Sequence, residues 1–179
     1  METILKYIGI LFFKLSGWTY EELPEYWTGK HVVVGFPHTS NMDTVRAFAY
    51  MKIAKVKGHI LIKSSWFIWP MSVFLKRIGG LPVNRGKAIG TVNKLAEEFK
   101  KSDKFILSIV PEGTRKKVTK VKLGFWYIAK NADVSILCWF LDNKNKSVKW
   151  VGTITPGNSA EKDLDKIRYF YKKHGLIIP

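Results

Sequence analysis

The chain has 179 residues, enough for one domain with a real core and too few for two comfortable ones. Hydrophobic residues make up 46%, which excludes a disordered chain, and the single cysteine, Cys138, excludes an intrachain disulfide and fits a reducing compartment. With 30 Lys+Arg against 14 Asp+Glu the net charge is +16, so the partners sought are anions: nucleic acid, anionic lipid or phosphorylated ligands.

The first element is nearly all apolar. Ile4, Leu5, Ile8, Leu11, Phe12 and Leu15 form one broad stripe, Tyr7, Ile10 and Phe13 grease the rest, and Lys6 and Lys14 interrupt it. A helix of about 15 residues reaches only about 22 Å against a hydrocarbon core of about 30 Å, so it does not span. Too greasy for a simple surface helix, it is expected to be buried against lipid or a second hydrophobic element. Together with 7 Trp and 14% aromatics, it predicts a membrane-associating helix over residues 1–17, lying on an anionic surface and separable from a folded catalytic domain. Met1-Glu2 lacks a basic leader region and no small-residue cleavage site follows, so no signal peptide is expected.

Next comes Val32-Val33-Val34-Gly35-Phe36, a buried-strand run, followed by Pro37-His38-Thr39-Ser40-Asn41-Met42-Asp43. Residues five apart sit about 140° apart on an ideal helix, so His38 must precede a helix that carries Asp43 in an early turn. Thr39, Ser40 and Asn41 are the N-cap candidates. A histidine held by a carboxylate at the mouth of a sheet is a ready general base. The plainer alternative is a surface histidine beside a helix-capping aspartate.

Further strands are predicted over 59–63, 81–84, 105–110, 134–140 and 147–154. The last two flank Asp142-Asn143-Lys144-Asn145-Lys146 and read as a hairpin. Helices are predicted over 88–101, with Ile89, Val92, Leu95, Ala96 and Phe99 on one face, and over 159–173, with Leu164, Ile167, Phe170 and Tyr171. For the second, Asn158 with Glu161 forms a candidate capping box and Gly175 a stop. Strands alternating with helices predict an α/β fold: a largely parallel or mixed central sheet flanked by helices, with the amphipathic N-terminal helix attached, all in a single domain, 1–179. Trp66 to Leu75 is either a lining for an apolar groove, a lipid-dipping segment, or a buried helix kinked at Pro70.

Two more blocks end apolar runs, where open α/β sheets bind ligands. Gly80-Leu81-Pro82-Val83-Asn84-Arg85 delivers one arginine, and Pro111-Glu112-Gly113-Thr114-Arg115 another. Gly113 allows a tight turn, and Arg115 offers a forked cation for a phosphate. Arg115 and Lys116, Lys117, Lys120 and Lys122 form a basic run that suits a headgroup, a carrier's phosphopantetheine or a nucleotide, or is simply a solvated loop. Cys138 sits in an apolar strand and reads as packing, while His31, His59 and His174 read as structural or exposed.

The ordered blocks His38 to Asp43, Gly80 to Arg85 and Glu112 to Arg115 resemble those of the glycerolipid acyltransferases of the 1-acylglycerol-3-phosphate acyltransferase type. The resemblance runs over about residues 31–140, and Lys122-x-Gly124-Phe125 extends it; the family's fourth block usually carries a proline where this chain has Ser135. It implies an acyltransferase of phospholipid biosynthesis. The fatty acyl group would pass from acyl-CoA or an acyl-carrier protein to the free hydroxyl of a lysophospholipid, directly and without an acyl-enzyme. His38 and Asp43 would be catalytic; Arg85 and Arg115 would grip the acceptor phosphate, with Glu112, Gly113 and Thr114 shaping that site. A lyso-aminolipid acceptor fits the same chemistry. Neither metal nor bound cofactor is expected, and the implied location is peripheral, on the cytoplasmic face of a membrane. The alternative from another class is a non-catalytic basic nucleic-acid-binding protein, against which stands the lack of any helix-turn-helix, zinc-finger or RNP-like pattern.

Overall fold

Alternation along the run Val32-Val33-Val34 sorts the molecule into two layers: Val32 and Val34 enter one hydrophobic core and Val33 the other. The computed structural model describes residues 2–23, 29–37, 40–84, 88–113 and 118–179. The elements run α1 (Glu2–Ser16), β1 (Thr19–Tyr20), β2 (Lys30–Gly35), α2 (Asn41–Ile53), β3 (Gly58–Lys63), α3 (Met71–Arg77), β4 (Gly80–Val83), α4 (Ala88–Lys101), β5 (Phe105–Ile109), α5 (Gly124–Ala132), β6 (Ser135–Asp142), β7 (Ser147–Ile154) and α6 (Ala160–Lys173). They form one mixed sheet of order β1-β7-β6-β2-β5-β3-β4. Every neighbouring pair is parallel except the β6–β7 hairpin, which is antiparallel with a register shift at Cys138/Trp139.

One face is covered by α4, α5 and α6, whose Leu95, Phe99, Phe125 and Ile167 meet Val32, Val34 and Leu107. The predicted apolar face of α4 holds from Val92 to Phe99; the side chain of Ile89 lies outside the described residues. Asp163, buried at the start of α6, accepts hydrogen bonds from Trp126 Nε1 (2.9 Å), Gly157 N (2.6 Å) and Lys166 Nζ (2.9 Å), which ties α6 to α5. The cap of α6 differs from the sequence expectation: it is Ser159, not Asn158, because the Ser159 hydroxyl accepts from Lys162 N and leaves Glu161 one position too early for a box. Gly175 is the stop, at φ 74°, with Leu176 N–H donating to Tyr171 O at 3.0 Å.

The other face carries α1, α2 and α3. Phe13, Trp18, Ala47, Tyr50 and Ile53 pack on Val33, Ile106, Leu137 and Trp139. Gly58 of β3 lies under Met51 of α2, and Ile62, of the same parity, lies against Gly80, whose missing Cβ makes room for Leu75 O of α3. Right-handed crossovers from β2 to β3 and from β3 to β4 put α2 and α3 on this same side.

Two expectations change here, and a third feature was not expected at all. The first concerns α1, which is not a separable appendage. It crosses α2 closely at Gly9, where a Cβ would stand 3.0 Å from Ala49 O, and it buries Phe13 completely. Its removal would open the core beneath it, because only one side of the helix is free. The second concerns Trp66 to Leu75, which is not a kinked buried helix. Residues 64–66 make a short 3₁₀ turn, Pro70 caps α3 rather than bending it, and only Leu75 is buried in that helix. The third is β1, two residues long and parallel to β7, with Thr19 N–H on Lys146 O at 2.8 Å; it is too short to leave any periodicity in the sequence.

Candidate active site

The parallel strands β2, β5, β3 and β4 all end at one edge. Val34 is in register with Ile109, so β2 and β5 finish level and about 4.8 Å apart. Each is followed by a proline, Pro37 or Pro111, that has no N–H to continue a ladder. Lys63 pairs with Val83, so β4 ends two strands from β5, roughly 10 Å away.

After β2 the chain turns into α2. His38 and Thr39 lie outside the described residues; Ser40 is the N-cap of α2. Of the three cap candidates it is Ser40 that takes the role, its hydroxyl accepting from Met42 N at 3.1 Å. Asp43, 6% exposed, closes the box: Oδ2 accepts from Ser40 N at 2.8 Å, and Oδ1 from the Ser40 hydroxyl at 3.2 Å. The capping aspartate and the orienting aspartate are therefore compatible readings of one side chain, because the cap fixes the carboxylate beside the turn that holds position 38. An acid in the first turn also suits the positive end of the helix dipole.

A residue missed from sequence lies behind it. Arg46 Nη1 stands 3.5 Å from Asp43 Oδ1, and its guanidinium stacks 4.1 Å above the Trp18 ring at the end of α1. This clamp joins the N-terminal helix to the carboxylate. Its sequence signal was the spacing of three between Asp43 and Arg46, which is common on helices and so easily passed over.

At the end of β5 the chain makes a tight turn. Gly113 N–H donates to Val110 O at 3.0 Å, and Gly113 takes φ 62°, the left-handed region that its lack of Cβ permits. Lys122 folds back on it: Lys122 N–H reaches Pro111 O at 3.2 Å, and the ammonium stands 3.1 Å from where a Gly113 Cβ would be. So Glu112 and Gly113 are brought to the strand end next to that of Asp43, with Lys122 as an added cation. Thr114 and Arg115 lie outside the described residues, as does Arg85, which follows Asn84 at the end of β4.

Tyr171 of α6 supports this edge from below. Fully buried, its hydroxyl lies 2.7 Å from Trp139 O and 3.1 Å from Val34 O, and its ring meets Phe36 edge-on at 5.3 Å. Burial pushes its phenol well above the usual range, so it stays a neutral donor. Sequence reading gave it only a helix face. Cys138 is buried in β6 with its thiol pushed up by that burial, unlike a nucleophile.

An apolar cleft lies under α2, the helix that begins at Asp43's turn. Ala47 and Met51 roof it, and Val33, Ile106, Leu137 and Trp139 form its floor. Tyr50 closes one side, its hydroxyl donating to Glu21 O at 2.9 Å and accepting from Trp150 Nε1 at 3.1 Å, with the phenol pushed up to about 12 by burial.

The fold is a layered α/β sheet in which the parts of two motif blocks that the structure describes, at Asp43 and at Glu112–Gly113, follow the neighbouring strands β2 and β5. The acyltransferase family model matches residues 19–141, most of the chain, and the protein belongs to that family. No curated protein matches the sequence at a significant level. The fold is similar to that in the crystal structure of the 1-acyl-sn-glycerophosphate (LPA) acyltransferase PlsC from Thermotoga maritima, with TM-score 0.65 and 19% identity over 97% of this chain and 78% of that one. The α1 helix lies outside the family match.

Proposed function

We propose that the protein moves a fatty acyl group from acyl-CoA or an acyl-carrier protein to the free hydroxyl of a lysophospholipid such as 1-acylglycerol-3-phosphate. The observation that carries this is the capped, buried Asp43 beside the Glu112–Gly113 turn at the level ends of β2 and β5, inside the part matched by the family.

In this reading His38 takes the proton of the acceptor hydroxyl as its oxygen attacks the thioester carbonyl. Asp43 orients the imidazole and stabilises its charge. The tetrahedral intermediate collapses, the C–S bond breaks, and the thiolate takes the proton back from the imidazolium. Arg85 and Arg115 hold the acceptor phosphate, with Glu112, Gly113 and Thr114 shaping that site. The only small molecules this scheme needs are its two substrates.

The test is mass spectrometry of lipids formed by the purified protein from a panel of lysolipids, including lyso-aminolipids, with both donor types. Arg85→Lys and Arg115→Lys should each raise the acceptor KM about tenfold or more with little change for the donor, since the bidentate fork is lost. Unchanged acceptor kinetics in both variants would sink the phosphate grip, and no acylated product from any lysolipid would sink the function.

The protein is also proposed to bind the membrane peripherally, on the cytoplasmic face. Among the described residues, no helix is long and apolar enough to cross a membrane. The exposed large hydrophobic side chains nonetheless cluster on one side. All but Tyr127, Tyr169 and Ile177 lie on α1, α2 or the segment 64–75, with Leu15 at 78% and Trp69 at 83% exposure. Ile8→Glu with Leu11→Glu, on the free side of α1, should abolish the part of vesicle binding that survives high salt while leaving the buried Phe13 side intact. Equal high-salt binding of variant and parent would remove α1 from the contact.

A further inference from the structure

The same helical face carries a second charged feature, at the sheet edge opposite the active site. The N-terminal turns of α1 run against the C-terminal end of α2, since Gly9 meets Ala49 and Ile53 while Trp18 meets Arg46. There a concave site is lined by Thr3, Lys6, Lys52, Lys55 and Lys57, over Met51 and Val56. Four lysines from two stretches of chain, 3–6 and 51–57, line one hollow. Among the described residues, none of the four has a carboxylate within ion-pair distance. Lys6 and Lys52 are half-buried.

Helix capping accounts for part of this: Lys52 and Lys55 favour the negative end of the α2 dipole. It does not account for Lys6, which projects from the opposite, positive end of α1, or for Lys57. Nor does it account for the backbone at Lys55. The end of α2 is a Schellman turn, with Val56 N–H on Met51 O at 2.9 Å and Lys55 N–H on Lys52 O at 3.3 Å. Lys55 occupies its left-handed position at φ 55°, where glycine normally sits and a lysine is strained. The chain keeps a cation at a backbone position that disfavours it, beside three others that repel it.

We propose that Lys6, Lys52, Lys55 and Lys57 form a binding site for the phosphate of an anionic membrane lipid, distinct from the acceptor site. The ligand is identified by chemistry and place. Four cations in a hollow fit a phosphate, and α1 joins the hollow to the exposed apolar row Ile4, Ile8, Leu11 and Leu15, which suits the acyl region beside that headgroup. A lipid held here would fix one end of the α1–α2 pair to the surface, with the catalytic turn at the other end of α2. The site rests on the peripheral-membrane reading above.

The experiment measures co-sedimentation with phosphatidylcholine vesicles, with and without phosphatidylglycerol, at about 0.1 M salt, where screening acts over about 10 Å. Lys6→Gln, Lys52→Gln, Lys55→Gly and Lys57→Gln combined should lower partition onto the anionic vesicles at least tenfold. Removing four exposed lysines of α4 and α6 on the other face, Lys94, Lys162, Lys172 and Lys173, should lower it less than threefold. Equal losses in the two sets overturn the site and leave bulk charge as the cause. If the parent protein binds neither vesicle, the membrane reading itself fails, which is a different result. Lys55→Gly alone guards against misfolding of the combined variant: it should raise Tm by about 2–4 °C while weakening anionic partition severalfold. Unchanged partition in that stabilised variant also overturns the proposal. Glycerol 3-phosphate shifting the Lys55 and Lys57 amide resonances without vesicles, and failing to compete with them, would assign the hollow to a soluble phosphate instead.

Discussion

Replacing His38 with alanine should abolish the proposed acyl transfer in a protein that still folds. A positioned base is worth 10²–10⁴-fold, and the loss is larger if the imidazole also orients the acceptor hydroxyl. The fall should appear in kcat and kcat/KM together, because the proton moves only as the new C–O bond forms. Position 38 follows Pro37 and precedes the first residue of α2, so the substitution removes no helix interior. Calorimetry should find Tm within a few degrees of the parent. Near-parental turnover in such a folded variant would falsify the mechanism.

Asp43→Asn separates the two duties of that side chain. An asparagine oxygen can still accept the Ser40 N–H that Asp43 Oδ2 now accepts at 2.8 Å, so the helix start should lose no more than about 1 kcal/mol. The charge is what disappears. Without it the imidazolium is unsupported and the imidazole can settle in the wrong tautomer, and in a serine-protease triad the matching change costs about 10⁴ in kcat. We expect 10²–10⁴ here, with acceptor KM little altered. Stability lost by several kcal/mol with turnover intact would mean that capping is the whole of Asp43's work. The Arg46 clamp adds a check: with the carboxylate neutralised, the Arg46 guanidinium keeps its Trp18 stack but has no anion to face.

The core strands were legible because each is a short β-branched or aromatic run ended by proline, glycine or a polar turn, and the structure follows those runs within a residue or so. The helices α4 and α6 were legible because one side of each is apolar at the helical period. What periodicity conveys is which side of an element avoids water, not what that side meets. Exposed Trp69 and buried Phe13 carry the same signal in a sequence. That is why residues 1–17 read as an appendage although Gly9 and Phe13 are buried, and why 66–75 stayed open between a groove lining, a lipid-dipping segment and a buried helix although most of it is exposed. Tyr171 was read only as part of a helix face for a related reason: it acts on residues that only folding brings near, and it reaches Val34 across 137 positions.

By itself, then, the sequence determined the local chemistry: a strand and a helix flanking the His38–Asp43 block, a tight turn at Gly113, the hairpin of β6 and β7, and a surplus of cations. These depend on neighbours a few residues away, where sterics and capping decide. The tertiary structure alone decided that β2 and β5 lie side by side and end level, which puts Asp43 next to Glu112, because strand order is chosen by burying both sheet faces under right-handed crossovers. It alone decided that Lys6 joins Lys52, Lys55 and Lys57, since the close crossing at Gly9 sets how α1 lies on α2.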